Sequence, residues 1–169
     1  MRRESKPDIV ELARVLNEHQ VRWVLVGGMA LILHGGHHVT TDCDLAFEKM
    51  QANLESMKVA LERLGARPQR APEEGEFPLD FSILMAPFMH LKSEVGDIDL
   101  INRLPGIDSF NGLYDRAVEV EIMGEMVRVA SIEDLIAMKS TSDRPKDRQH
   151  VEELKSLMSL SVDDPTDAL

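Results

Sequence analysis

The run from Val21 to Val26 constrains the fold most. It is apolar, carries Val21, Trp23, Val24, Leu25 and Val26, and stops at Gly27-Gly28. Residues Met29 to His34 then resume with helix formers before a second glycine pair, Gly35-Gly36. The pattern reads as strand, glycine turn, short helix and glycine stop. Upstream, Pro7 to His19 places Ile9, Val10, Leu12, Ala13, Val15 and Leu16 at helical spacing, with Pro7 suited to a first turn. Downstream, Asp42 to Phe47 alternates polar and apolar as a two-faced strand does, and Ala52 to Leu64, ending at Gly65, reads as a second long helix.

The remainder alternates strands and helices. Ala66 to Gly75 reads as a polar surface loop. Met89 to Ser93 and Asp97 to Asn102 form a hairpin about Glu94-Val95-Gly96, and Val118 to Ile122 and Met126 to Val129 form another about Gly124. A short helix ends near Tyr114 to Ala117. Ser131 opens an S-x-x-D helix start with Asp134, and a last helix is predicted from about Pro145 to Met158. At 169 residues the chain suits a single domain over residues 1–160, followed by an acidic, frayed tail over 161–169.

Composition excludes whole classes of function. With 19 Lys+Arg against 30 Asp+Glu the net charge is −11, so no broad basic face is available to coat nucleic acid. No apolar run approaches the roughly 18 residues that a membrane helix needs, and Met1 to Ser5 is too polar for a signal peptide. One cysteine excludes an internal disulfide and fits a reducing compartment, so a cytoplasmic location is expected.

Chemistry concentrates around Asp42 and Asp44. Side chains two apart on a strand share a face, so these carboxylates converge, and two like charges so placed call for a cation. Hard oxygen donors suit Mg²⁺, which keeps part of its shell for water and substrate phosphate. Gly27 and Gly28, between strand and helix, offer backbone N–H groups and close approach to a phosphate. Asp99, between Ile98 and Leu100 on another predicted strand, is able to bring a third carboxylate; Asp97 shares its face, and spacing does not choose between them. Lys139, Arg144, Lys146 and Arg148 form a local basic excess sized for a phosphate clamp, although Asp143 and Asp147 stand beside them as salt-bridge partners.

Taken in order, Val26-Gly27-Gly28, His34-Gly35, Thr40-x-Asp42-x-Asp44-Leu45, Gly96-Asp97-Ile98-Asp99-Leu100, Val127 to Lys139 and Arg144-Pro145-Lys146-Asp147 resemble the DNA polymerase β-like nucleotidyltransferase superfamily. They are most similar to its small bacterial branch of AbiEii-related and MNT-type minimal enzymes. The resemblance spans roughly residues 8–158. It implies an α+β nucleotidyltransferase fold, a mixed β-sheet flanked by helices with further helices at the C-terminal end. It also implies that Asp42, Asp44 and Asp99 are catalytic and hold two Mg²⁺ ions. Gly27, Gly28, Thr40, Lys139, Arg144 and Lys146 would then bind a nucleoside triphosphate such as ATP. The implied reaction moves a nucleoside monophosphate to an acceptor hydroxyl on a protein, an RNA end or a small molecule, within a toxin–antitoxin pair or beside another partner protein. Two departures stand out: Gly28 replaces the serine of many members, and His38 stands where the branch often has arginine.

The competing readings are fewer. His34, His37, His38 and Cys43 match no common zinc spacing, and Cys43, between the aspartates, should face the core. The glycines fit neither a Walker A nor a dinucleotide-binding pattern. A non-catalytic domain of the same fold that binds a nucleotide or a protein is the rival, and retention of all three acids favours the enzyme.

Overall fold

The computed structural model describes residues 6–70 and 79–162. Helix α1 (Ile9–Glu18) is capped by Asp8, whose carboxylate accepts the Glu11 N–H at 3.1 Å, and it buries Leu12, Ala13, Val15 and Leu16. Strand β1 (Trp23–Val26) is buried along its whole length, and helix α2 (Gly27–Leu33) starts directly at the glycine pair. The chain returns as β2 (Asp42–Phe47) and α3 (Gln51–Arg63).

Two elements in the next stretch were not expected. Within the supposed loop, Arg67–Pro68 forms a two-residue strand, β3, and beyond it Phe81–Met85 forms a short helix, α4, capped by Asp80. Both are too short to show a hydrophobic period, so only their partners define them. The glutamate-rich part of that loop lies outside the described residues. Hairpin β4 (Phe88–Ser93) and β5 (Gly96–Ile101) turns through Glu94-Val95, and α5 (Phe110–Arg116) follows. Hairpin β6 (Val118–Ile122) and β7 (Glu125–Val129) turns through Met123 (φ 50°) and Gly124 (φ 86°), a left-handed pair that matches the twist of its strands. Helix α6 (Ile132–Lys139) is capped by Ser131, which accepts the Asp134 N–H as its S-x-x-D pattern predicts. Helix α7 (Pro145–Val162) runs past Met158, so residues 161 and 162 are helical; the tail over 163–169 lies outside the described residues.

Among the described residues, the strands form one mixed seven-stranded sheet in the order β3-β4-β5-β2-β1-β7-β6. β2 pairs antiparallel with β1 and parallel with β5, and β1 pairs parallel with β7. The β2–β5 register sets Cys43 beside Ile98, Asp44 beside Asp99 and Leu45 beside Leu100. Because side chains alternate faces, one side of these strands is apolar and fully buried, and the other carries the carboxylates. Among the described residues no helix is long and apolar enough to cross a membrane.

Candidate active site

The acidic side of β2 and β5 is the floor of a cavity of about 640 Å³. Asp42, Asp44 and Asp99 all line it, with Gly27 and Gly28 at one rim and Lys139, Arg144 and Lys146 on the opposing α6–α7 wall. The order of elements explains the convergence. β1 ends at Val26 opposite Asp44, so the glycine turn into α2 begins above that carboxylate. β5 lies against the other edge of β2 and places Asp99 level with Asp44, at the roughly 4.8 Å spacing of neighbouring strands.

The glycine turn fits Asp44 closely. Gly27 has φ +68°, and a Cβ on it would lie 1.9 Å from Asp44 Oδ2. Burial, followed by the nearby charges of Asp42 and Asp99, pushes the Asp44 carboxyl up to about 7, while the Gly28 N–H and Lys139 act in the other direction. Asp42 Oδ1 accepts the Thr40 hydroxyl at 2.7 Å, so Thr40 lines the cavity and also orients the first carboxylate. Asp99 is buried, and its Oδ1 lies 2.6 Å from His90 Nδ1. Its carboxyl is raised by burial, against the hydrogen bond and charge of His90. Phe88 packs edge-on against the His90 ring at 4.3 Å.

The choice that spacing left open is decided by burial and position. Asp97 stands beside the hairpin turn, is exposed, and does not line the cavity. Asp99 is the third strand-borne acid lining the cavity.

The basic wall is organised by an acid. Asp147 is buried; its carboxylate lies 2.7 Å from Arg144 Nε and 3.7 Å from Lys139 Nζ. Burial opposes ionisation, yet Ser142, Arg144 and Lys139 together hold the Asp147 carboxyl below its ordinary range. Burial lowers Lys139, with Asp147 and Asp44 acting to keep it charged. Lys146 reaches the cavity from the solvent side. Arg148 does not line it and pairs with exposed Asp143 at 3.8 Å.

The remaining histidine and cysteine candidates scatter. His34 donates from Nε2 to the Ala130 carbonyl at 2.8 Å, and His37 is exposed near Glu153. Cys43 is buried on the apolar side, where burial, then Asp44 and Asp42, push its thiol up to about 12.

Further cavity residues escaped sequence reasoning, among them His90, Arg103 and His150. His150 had a usable signal, since it stands four residues after Lys146 and three after Asp147 on one helix and therefore shares their side. His90 had none, because its pairing opposite Asp99 depends on the β4–β5 register.

Among the described residues, no group of three His, Cys, Asp or Glu side chains already stands in metal-holding geometry. Oxygens of Asp42 and Asp99 are turned to Thr40 and His90. The donor set nevertheless suits a hard divalent cation, since it consists of two half-buried carboxylates and a buried one, and burial together with the neighbouring charges of Asp42 and Asp99 pushes the Asp44 carboxyl up to about 7.

A mixed sheet with paired acids after a strand–glycine–helix turn, a further acid on the neighbouring parallel strand and closing helices is a nucleotidyltransferase fold. The chain belongs to the family described as "Nucleotidyltransferase of unknown function (DUF6036)", whose profile matches residues 7–164. None of the curated proteins matches it in sequence. Among solved structures it is similar to the lincosamide antibiotic adenylyltransferase LnuA bound to lincomycin, with 20% identity and TM-score 0.58 over 90% of this chain and 99% of that one. It is similar to ANT(2")-Ia in complex with adenylyl-2"-tobramycin, with 18% identity and TM-score 0.57 over 91% and 87%. It also resembles an antigenic nucleotidyltransferase-like protein from Paracoccidioides brasiliensis, with 16% identity and TM-score 0.59 over 90% and 74%.

Proposed function

We propose that this chain transfers a nucleoside monophosphate from a nucleoside triphosphate to an acceptor hydroxyl, with Mg²⁺ held by Asp42, Asp44 and Asp99. The observation that carries this reading is the meeting, in one cavity, of three strand-borne carboxylates with the Gly27-Gly28 turn and the Lys139, Arg144 and Lys146 wall. When bound, the cation neutralises phosphate charge and polarises the attacked phosphorus and the acceptor oxygen.

The residues of the chain divide the rest of the work. Gly27 and Gly28 let the turn sit close over the carboxylates, since a Cβ on Gly27 would strike Asp44 and one on Gly28 would crowd His38 and Thr40, and their backbone N–H groups are offered to the triphosphate. Lys139, Arg144 and Lys146 bind the phosphate tail and offset the charge that collects on departing pyrophosphate. Thr40 and His90 fix the first and third carboxylates through their hydrogen bonds. Asp99 is the group placed to accept the acceptor's proton, because burial has raised its proton affinity.

A small hydroxylated acceptor agrees with the geometry. The cavity has apolar wall at Phe88, Ile101, Leu135 and Met138, and such a pocket suits a drug-sized molecule. Solved structures of similar fold hold lincomycin and an adenylylated tobramycin. The resemblance to the small bacterial branch supports a macromolecular acceptor in a toxin–antitoxin setting, and one assay decides between them. Purified protein, Mg²⁺ and labelled triphosphates are incubated with cell extract, then with a panel of hydroxylated small molecules, and the labelled product is weighed. Transfer that vanishes in Asp42→Asn and Asp44→Asn supports the reading. Triphosphate binding without transfer to anything overturns it in favour of a non-catalytic binding domain.

A further inference from the structure

At the edge of the basic wall, two histidines from distant parts of the chain stack on each other. His38, in the segment between α2 and β2, and His150, on α7, have ring centroids 4.6 Å apart and planes tilted by 37°. His150 is buried and lines the cavity; His38 is half-buried behind it. Nδ1 of His150 is buried without a hydrogen-bond partner among the described residues, and the His38 nitrogens have no side-chain partner, only the Gly28 backbone nearby. Orphaned buried polar atoms are costly, and one beside a binding cavity points to a partner that arrives with the ligand. The glycine turn is built to admit the pair, because a Cβ on Gly28 would stand only 3.1 Å from His38 Nε2 and 3.1 Å from Thr40 Oγ1.

The surrounding charges define what that partner is. Lys139 of α6 and Lys146 of α7 face both rings, Glu153 faces His38, and Asp147 faces His150. Burial first, then Lys139, His38 and Lys146, hold His150 down at about 4, with Asp147 opposing; burial likewise lowers His38, helped by Lys146 and Lys139, with Glu153 and the Gly28 backbone opposing. The pair is therefore neutral in the unliganded protein at neutral pH. A polyanion settling on Lys139 and Lys146 reverses the local field and supplies oxygens for the imidazole N–H groups.

We propose that His38 and His150 form a proton-accepting contact for the phosphate tail of the substrate, with His150 meeting the phosphate oxygens and His38 acting as its positioning residue. This rests on the triphosphate reading of the cavity. No covalent bond changes; one proton passes from solvent to the imidazole pair as the anion binds, and returns to solvent when pyrophosphate leaves. The neutral pair spares the empty cavity two further buried charges beside Lys139 and Lys146, while the loaded cavity gains a charge-assisted bond.

The experiment is titration calorimetry of the full chain at about pH 7.5 in two buffers of different ionisation enthalpy, with ATP plus Mg²⁺ and, separately, inorganic tripolyphosphate. The difference between wild type and variant isolates the protein's protons from those of the ligand. Wild type should take up protons on binding either ligand. His150→Gln, which keeps a polar side chain of similar reach, should bind about tenfold more weakly and lose that uptake. His38→Gln should lose part of both, at unchanged circular dichroism. If both variants bind and take up protons as wild type does, or change only the melting temperature, the inference is overturned, and it is overturned as well if wild type binds neither ligand. Transfer to an acceptor with uptake independent of His150 overturns the inference alone. His150-dependent uptake with tripolyphosphate in a protein that transfers nothing overturns the proposed reaction alone.

Discussion

A β-carbon at position 27 would lie 1.9 Å from Oδ2 of Asp44, so the glycine of the turn and the central carboxylate occupy complementary space. Gly27 is needed twice, once for its φ of +68° and once for the absent side chain. Gly27→Ala should therefore lose triphosphate binding and cost roughly 1–3 kcal/mol of stability. Gly124→Ala is the matched control: φ is +86°, but nothing lies within 4 Å of the new carbon. It should cost only about 1 kcal/mol of backbone strain and leave binding intact. Denaturant melts and a nucleotide titration on both variants separate strain from collision.

Asp44 makes the metal-free protein sensitive to alkali. Its carboxyl stays protonated up to about 7 in the folded chain and releases its proton near the ordinary 3.8 when unfolded. Folding therefore takes up a proton between these values, and the contribution of this group to stability, complete at low pH, is lost as pH rises through 7. In chelator-treated protein, Asp44→Asn should melt higher than wild type at pH 8 and similarly at pH 4. Mg²⁺ should reverse that order at pH 8 by binding the wild type preferentially. Melting curves at the two pH values, with and without the ion, test both statements.

Asp147 offers a less intuitive test. Removing a negative charge beside the proposed phosphate site ought to strengthen triphosphate binding if the charge acted only at long range. The structure instead makes Asp147 the anchor of Arg144 and Lys139. Asp147→Asn should raise KM for the triphosphate about threefold to tenfold, an effect of the size of one ordinary hydrogen bond, since the amide keeps a weaker contact to Arg144. A lowered KM would contradict the anchoring role.

Cys43 should be inert. Its thiol is buried and raised to about 12 beside two carboxylates, so the nucleophilic thiolate is essentially absent at pH 8. An aromatic disulfide reagent should label the native chain only at the rate at which it unfolds, and label it at once in denaturant. Rapid labelling of native protein would contradict the buried placement.

Much of this site was legible because its parts are local. Two aspartates one residue apart on a strand must share a face, and Gly27-Gly28 sits where a strand becomes a helix whatever the remaining chain does. Hairpin turns at Glu94-Val95 and Gly124 were readable for the same reason, as was the Ser131 cap. What escaped depends on pairing between distant segments. Asp97 and Asp99 are equivalent by alternation, and only the solvent at the start of β5 separates them. β3 exists because Arg67 and Pro68 lie along β4, and His90 matters because the hairpin register brings it to Asp99. The stacking of His38 on His150 joins a loop to the last helix, a contact that no local pattern announces.

The parallel pairing of β2 with β5 carries a consequence for how the protein comes of age. A growing chain that has reached Gly65 already holds the glycine turn, Asp42 and Asp44, yet neither the third acid nor the basic wall has been synthesised. Those parts arrive by closure of long loops, the slow class of folding event. On the proposed reading of the site, partly folded chains are chemically silent, and nucleotide transfer is withheld until the late strand and the final helices have docked.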